Sequence, residues 1–164
     1  MQIGDALHDL FLHMEWADAM VWTSVRKLGG DEDRRLTDLL SHLHLTQRAF
    51  LDVWLGKGFD RGYLKQRGLR EAEDLGRDYH REAAAFVATV DASSLDRPTS
   101  LPWAGRFADS ARSTTLGETM LQITSHSTYH RGQANMRIRE LGGEPSLVDY
   151  IAWLWLGRPA ASWP

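Results

Sequence analysis

Thr115-Leu-Gly-Glu-Thr-Met-Leu-Gln-Ile-Thr-Ser-His-Ser-Thr-Tyr-His-Arg-Gly-Gln-Ala-Asn-Met-Arg-Ile-Arg-Glu-Leu141 is a helix written out with its own start and stop. Thr115 and Glu118 stand three apart, as in a capping box, where hydroxyl and carboxylate satisfy the first orphan amides of a helix. Leu116, Met120, Ile123, Ala134, Ile138 and Leu141 then recur at helical spacing, and Gly142-Gly143 and Pro145 end the run. A stripe of that kind has to be covered by other helices.

The flanking sequence supplies them. Leu7, Leu10, Phe11, Met14, Val21, Val25 and Leu28 predict a first helix stopped at Gly29-Gly30. A second is expected from about Asp33 to Leu55, with Leu36, Leu39, Leu40, Leu43, Phe50 and Trp54 inward and Gly56 and Gly58 closing it. Phe59 to Arg70 reads as a polar, solvated loop despite its basic run. Leu75, Tyr79, Ala83, Phe86 and Val90 define a third helix, closed at Asp91-Ala-Ser-Ser94. Between Leu95 and Thr114, two prolines and Gly105 forbid a continuous helix. Ser100 to Phe107 is expected to make a short extended excursion around Trp103, and a connection of that length serves as a crossover or a lid. A last short helix is expected over Leu147 to Leu156. The chain thus reads as one all-α domain over residues 1–164: a four-helix bundle with a long connection before the fourth helix and a short C-terminal fifth helix.

Composition narrows the function. With 19 basic against 22 acidic residues the net charge is -3, which offers no electrostatic footprint for nucleic acid or anionic lipid. No stretch reaches the roughly 18 consecutive apolar residues of a membrane helix, and two acidic residues in Met1 to Leu10 argue against a targeting peptide. A cytoplasmic protein is expected. With no cysteine, disulfides and thiolate sites drop out, so any metal ligands are His or carboxylate.

His126 and His130 stand four apart, on successive turns of one helix face, at a separation suited to a shared ion. Both fall on the flank of the buried stripe and are expected to point toward the core. The spacing alone is weak evidence, since two partly buried histidines bonded to polar neighbours would look the same. Ser127 stands where a metalloprotease helix carries its Glu, which disfavours peptidase chemistry, and no Glu-x-x-His pair supports a di-iron site. A third ligand is available from the second helix in His42 or His44. The two lie about 200° apart around the helix, each on a border of the apolar stripe, and periodicity does not choose between them. His8, His13 and His80 have no partner at three or four residues and are expected at the surface or its boundary.

His126-Ser-Thr-Tyr-His130-Arg-Gly-Gln133, with Met136-Arg-Ile-Arg139, Leu141-Gly142, Pro145 and Asp149-Tyr150 after it, resembles the helix-four signature of the DinB/YfiT-like family of metal-dependent helical-bundle proteins. Leu39-Leu-Ser-His42-Leu-His-Leu-Thr-Gln-Arg48-Ala-Phe-Leu51 is similar to the segment carrying that family's first metal histidine, and Trp16-Ala17-Asp18 to its first helix. The resemblance selects His42 over His44. It implies a three-histidine site, His42, His126 and His130, holding a divalent metal ion with positions left open for water or substrate. Zinc is the preferred ion, with nickel or iron as alternatives. It further implies a small-molecule substrate, a low-molecular-weight thiol as cosubstrate in transferase or isomerase chemistry, and a homodimer. The alternative is a non-catalytic metal-containing ligand-binding or stress-response module. Gln47 departs from the family, where Glu is common, and the metal site is expected to be untouched by it.

Around this set, Gln133 is a candidate to support a ligand histidine and Asp18 a candidate carboxylate orienting one. Arg131 is expected to pair with an acid or meet an anionic substrate, Tyr129 to face a neighbouring helix or the site rim, and Trp103 to cover a pocket. Trp153 and Trp155 read as packing groups or a dimer surface.

Overall fold

A computed structural model of the chain describes residues 3–29, 33–58, 60, 62, 65, 67–108 and 112–164. Five α-helices carry it: α1 (Ile3–Leu28), α2 (Arg34–Trp54), α3 (Leu69–Val87), α4 (Leu116–Glu140) and α5 (Tyr150–Trp155). The fold class is all-α. Asp33 caps α2 by accepting from the amide of Leu36, and Thr115 and Glu118 form the anticipated box at the start of α4. At Gly29, φ of +50° marks the end of α1; Gly30 lies outside the described residues.

Two helix starts differ from expectation. Helix α3 begins at Leu69 rather than Leu75, because the Glu71 carboxylate accepts the Gly68 amide and starts the helix within the polar run. Phe59, Arg61, Tyr63, Leu64 and Gln66 of the expected solvated loop lie outside the described residues. Helix α5 starts at Tyr150 instead of Leu147, since the Val148 carbonyl is engaged by His13. The long connection is also built differently. Its extended pieces are β1 (Pro98–Thr99) and β2 (Thr114–Thr115), paired antiparallel with Pro98 opposite Thr115, whereas Ala104–Arg106 forms a 3-10 turn. The Leu116 amide bonds the Arg97 carbonyl, which ties the ends of the excursion together.

Two apolar clusters fill the bundle. One holds Leu7 and Phe11 of α1, Phe50 and Trp54 of α2, Tyr79 and Ala83 of α3, and Leu116 and Ile123 of α4. The other holds Val21 and Trp22, Leu36 and Leu40, Ala72, and Ala134 and Ile138 of the same four helices. The order in which each helix visits them gives the topology: α1 and α4 run one way, α2 and α3 the other. Packing pairs are α2 with α3 and α4, and α1 with α3 and α4, so chain neighbours α1 and α2 sit on a diagonal. Helix α2 therefore ends and α3 begins at opposite ends of the bundle, and the amide of Arg67 lies at the Ser41 hydroxyl near the start of α2. Helix α3 ends and α4 begins at the same end of the bundle. The connection between them is not a crossover.

Candidate metal centre

Between the two apolar clusters all four long helices contribute polar side chains, and this layer determines what α2 and α4 present outside. Asp18 is fully buried, with one oxygen accepting from Arg131 at 2.8 Å and the other from His80 at 2.8 Å and Gln47 at 2.7 Å. Burial works to raise its pKa, yet the Arg131 charge and the His80 contact prevail and hold it below the usual carboxylate range. Gln47 also donates to Ser127 at 3.1 Å and accepts from His44 Nδ1 at 2.7 Å, while His44 Nε2 accepts from the Trp22 indole at 2.9 Å. Both nitrogens of His44 are thus committed inside the protein, and burial keeps its imidazole neutral by lowering its pKa. Its ring lies against Gly76, where an added Cβ would stand 2.7 Å from Cε1. That contact requires glycine in the middle of α3, at a cost of about 1 kcal/mol in helix propensity.

Ser127 and Arg131 fill the interior at this level, so His126 and His130, each one residue earlier, are turned about 100° away toward the groove between α2 and α4. His42 faces them from α2. One nitrogen from each of the three rings lies within 4.8 Å of the others, and the Nε2 atoms of His126 and His130 are 3.1 Å apart. Two imidazole nitrogens on one tetrahedral zinc stand roughly 3.4 Å apart, from Zn–N distances of about 2.1 Å. The cluster therefore has the dimensions of a coordination site. Its place on the stripe's flank matches the helical wheel, but it does not point into the core: His42 is exposed and the other two are half-buried.

The chemistry of the rings fits a cation. Burial, followed by the proximity of His130 and His42, brings His126 down to about 4. His42 and His130 are likewise lowered, chiefly by burial. All three are neutral near pH 7 and offer lone pairs. The Nδ1 atoms of His126 and His130 are buried without a hydrogen-bond partner, and so is Oε1 of Gln133. Gln133 lies close enough to His130 to raise its basicity without forming a full hydrogen bond. Tyr129 stands edge-on to His130 at the exposed rim.

Several expectations need correction. Asp18 touches none of the three histidines; it is paired within the central layer, because α1 is separated from His42, His126 and His130 by Gln47, Ser127 and Arg131. Arg131 pairs with an acid, as expected, but inside the bundle and not at a substrate. His80 is buried on Asp18, and His13 is buried among Trp16, Tyr150 and Trp153 with Nε2 donating to the Val148 carbonyl; neither is at the surface. His8 is exposed. Gln47 is a hub of the layer. The readable signal was Asp18 itself, a lone charge in the apolar run Trp16 to Trp22, which has to meet a buried cation.

A cleft of about 710 Å³ opens beside His42 and His126, walled by Leu45, Phe50 and Trp103. Trp103 does cover it in part, packing edge-on against Phe50 at 5.2 Å. Trp153 is buried and Trp155 exposed. No described helix is long and apolar enough to cross a membrane.

Compared with known proteins, residues 4–160 match the family model described as the DinB family. Protein DinB of Bacillus subtilis (strain 168) is 20% identical over 171 aligned residues, covering 95% of this chain and 98% of that protein. No solved structure matches.

Proposed function

Because the chain belongs to the DinB family, we propose that His42, His126 and His130 hold one divalent metal ion and that the protein uses it as an enzyme on a small molecule, in thiol-dependent transfer or isomerisation. The observation that carries this reading is the convergence of three neutral imidazoles within 4.8 Å. When bound, an ion with three protein ligands and open positions lowers the pKa of a thiol or polarises a carbonyl. Zinc is the preferred ion. The residues around it have separate tasks. His126 and His130 are aimed by Ser127 and Arg131, which lock the rotation of α4 from the inside. Gln133 is placed to accept a hydrogen bond from His130 Nδ1 once Nε2 is engaged, fixing the tautomer, as outer-shell partners of metal histidines do. Phe50 and Trp103 keep the adjoining cleft apolar. The homodimer is part of the same proposal, supported by the exposed Leu121, Tyr129 and Met136 of α4.

The test is elemental analysis of protein purified without a tag or metal resin, compared with a His126→Ala/His130→Ala variant. About one metal per chain in the native protein and its loss in the variant are expected; full occupancy in the variant would remove the assignment. One observation favours a second reading, a ligand-binding module without turnover: among the described residues lining the cleft there is no carboxylate or lysine to transfer a proton. Metal-dependent turnover in a thiol-transfer panel decides for the enzyme. Silence in that panel with ligand-dependent thermal stabilisation decides for the module.

A further inference from the structure

The cleft beside the histidines has a second end. From His42 its wall continues along α2 through Leu45 and Ala49 to Phe50, eight residues on and about 12 Å away along the helix axis at ~1.5 Å per residue. There Trp103 packs on Phe50, which seats the Ala104–Arg106 turn over that end. Arg106 and Phe107 both line the cleft, and Phe107 is an apolar residue 84% exposed.

The polarity of the cleft is one-sided. Among the described residues lining it, Arg106 is the one side chain with a fixed charge; the remainder are apolar groups, Thr46, Gln122 and the imidazoles of His42 and His126. No described acid pairs with the Arg106 guanidinium, and the residue is exposed, so its N–H donors are accessible to a ligand in the cleft. An exposed guanidinium at the edge of an apolar wall selects a planar anion, which it can hold with two parallel hydrogen bonds.

We propose that the cleft binds an elongated small molecule with a ring-sized apolar body and one carboxylate-type anionic group. The anion rests on Arg106, the body lies against Phe50, Trp103 and Phe107, and the opposite end reaches toward His42, His126 and His130. This inference rests on the small-molecule reading above and names the substrate class. A volume of about 710 Å³ lies within the roughly 300–1,000 Å³ of small-molecule sites.

The test titrates 4-phenylbutyrate and its neutral analogue 4-phenylbutanamide into tag-free protein by calorimetry, after chelator treatment and again after zinc loading. The variants are Arg106→Gln and His42→Ala/His126→Ala/His130→Ala. The carboxylate is expected to bind metal-free wild-type protein about tenfold more tightly than the amide, and Arg106→Gln to abolish that preference. Arg106 is exposed, so its replacement does not threaten folding. Equal affinities in the wild type, no binding of either compound, or a preference that survives Arg106→Gln would each overturn the proposal. The triple-histidine variant separates the two readings. A carboxylate preference that persists there supports the Arg106 site even if zinc never binds, whereas a preference that appears only with zinc and ignores Arg106 overturns it and leaves the metal assignment standing.

Discussion

Successive residues of a helix point about 100° apart, and at His126-Ser127 and His130-Arg131 that rotation separates an outward pair of imidazoles from an inward pair of anchors. Gln133, one turn further, has an unpaired oxygen beside an unpaired His130 Nδ1. Gln133→Ala is therefore expected to weaken zinc binding about 10- to 100-fold while the melting temperature of the metal-free protein stays unchanged, as competitive chelator titration and calorimetry would show. The histidines also predict a pH dependence of the metal-free fold. Burial first, then its neighbours, lowers His126 from 6.5 to about 4 in the folded chain, so below pH 6.5 the unfolded chain takes up a proton that the folded one resists. Stability should fall as pH drops from about 6.5 toward 4. His13, His42, His44 and His130 shift in the same direction and add to the slope. Asp18 acts lower: its depressed pKa contributes stability above 3.8 that is lost on further acidification. Urea denaturation across this range checks the sign, and His126→Ala should flatten part of the slope.

Each long helix carries one segment of the polar layer, and the layer aligns them. Asp18 of α1 meets Arg131 of α4 and His80 of α3 with no exposure to water. Asp18→Asn leaves the Arg131 guanidinium buried without its counter-charge, at an expected cost of about 3–5 kcal/mol, whereas replacing Asp18 and Arg131 together by Leu and Met should recover much of that loss in chemical denaturation. At the α2–α3 contact, Gly76→Ala improves helix propensity by about 1 kcal/mol but forces a methyl group to 2.7 Å from the His44 ring. Overpacking of this kind costs about 1–3 kcal/mol, so net destabilisation is expected; an increase in unfolding midpoint would refute the close contact.

At the scale of the molecule, the parallel course of α2 and α3 makes the two long connections unlike each other. Helix α2 has 21 residues, about 31 Å at ~1.5 Å per residue, and residues 55–68 have to return over much of that distance. An extended chain covers about 3.4 Å per residue, so a deletion leaving about five residues there reaches only ~17 Å and should abolish cooperative unfolding. The connection from α3 to α4 begins and ends at one end of the bundle, and a deletion within 100–113 joined by a short glycine linker should leave the helical circular dichroism intact while removing the apolar wall of the cleft.

The helices and their caps were legible in the sequence because they rest on local physics: a capping box spans three residues, an apolar stripe repeats every three or four, and His126 and His130 share a face through spacing alone. Resemblance rather than periodicity pointed to His42. What the tertiary structure decided were contacts between residues far apart in the chain. Asp18 finds Arg131 across 113 positions and His80 across 62. No helical wheel distinguishes a flank residue that turns to a groove from one that turns to a buried partner, so His42 and His44 separate only when α2 is packed between α3 and α4. The direction of α3 had no local signal either, because a connection's sequence does not state which end of the bundle it reaches. His126 and His130 accordingly face the groove instead of the core, since the interior at that level is occupied by Ser127, Arg131 and the charge that Arg131 neutralises.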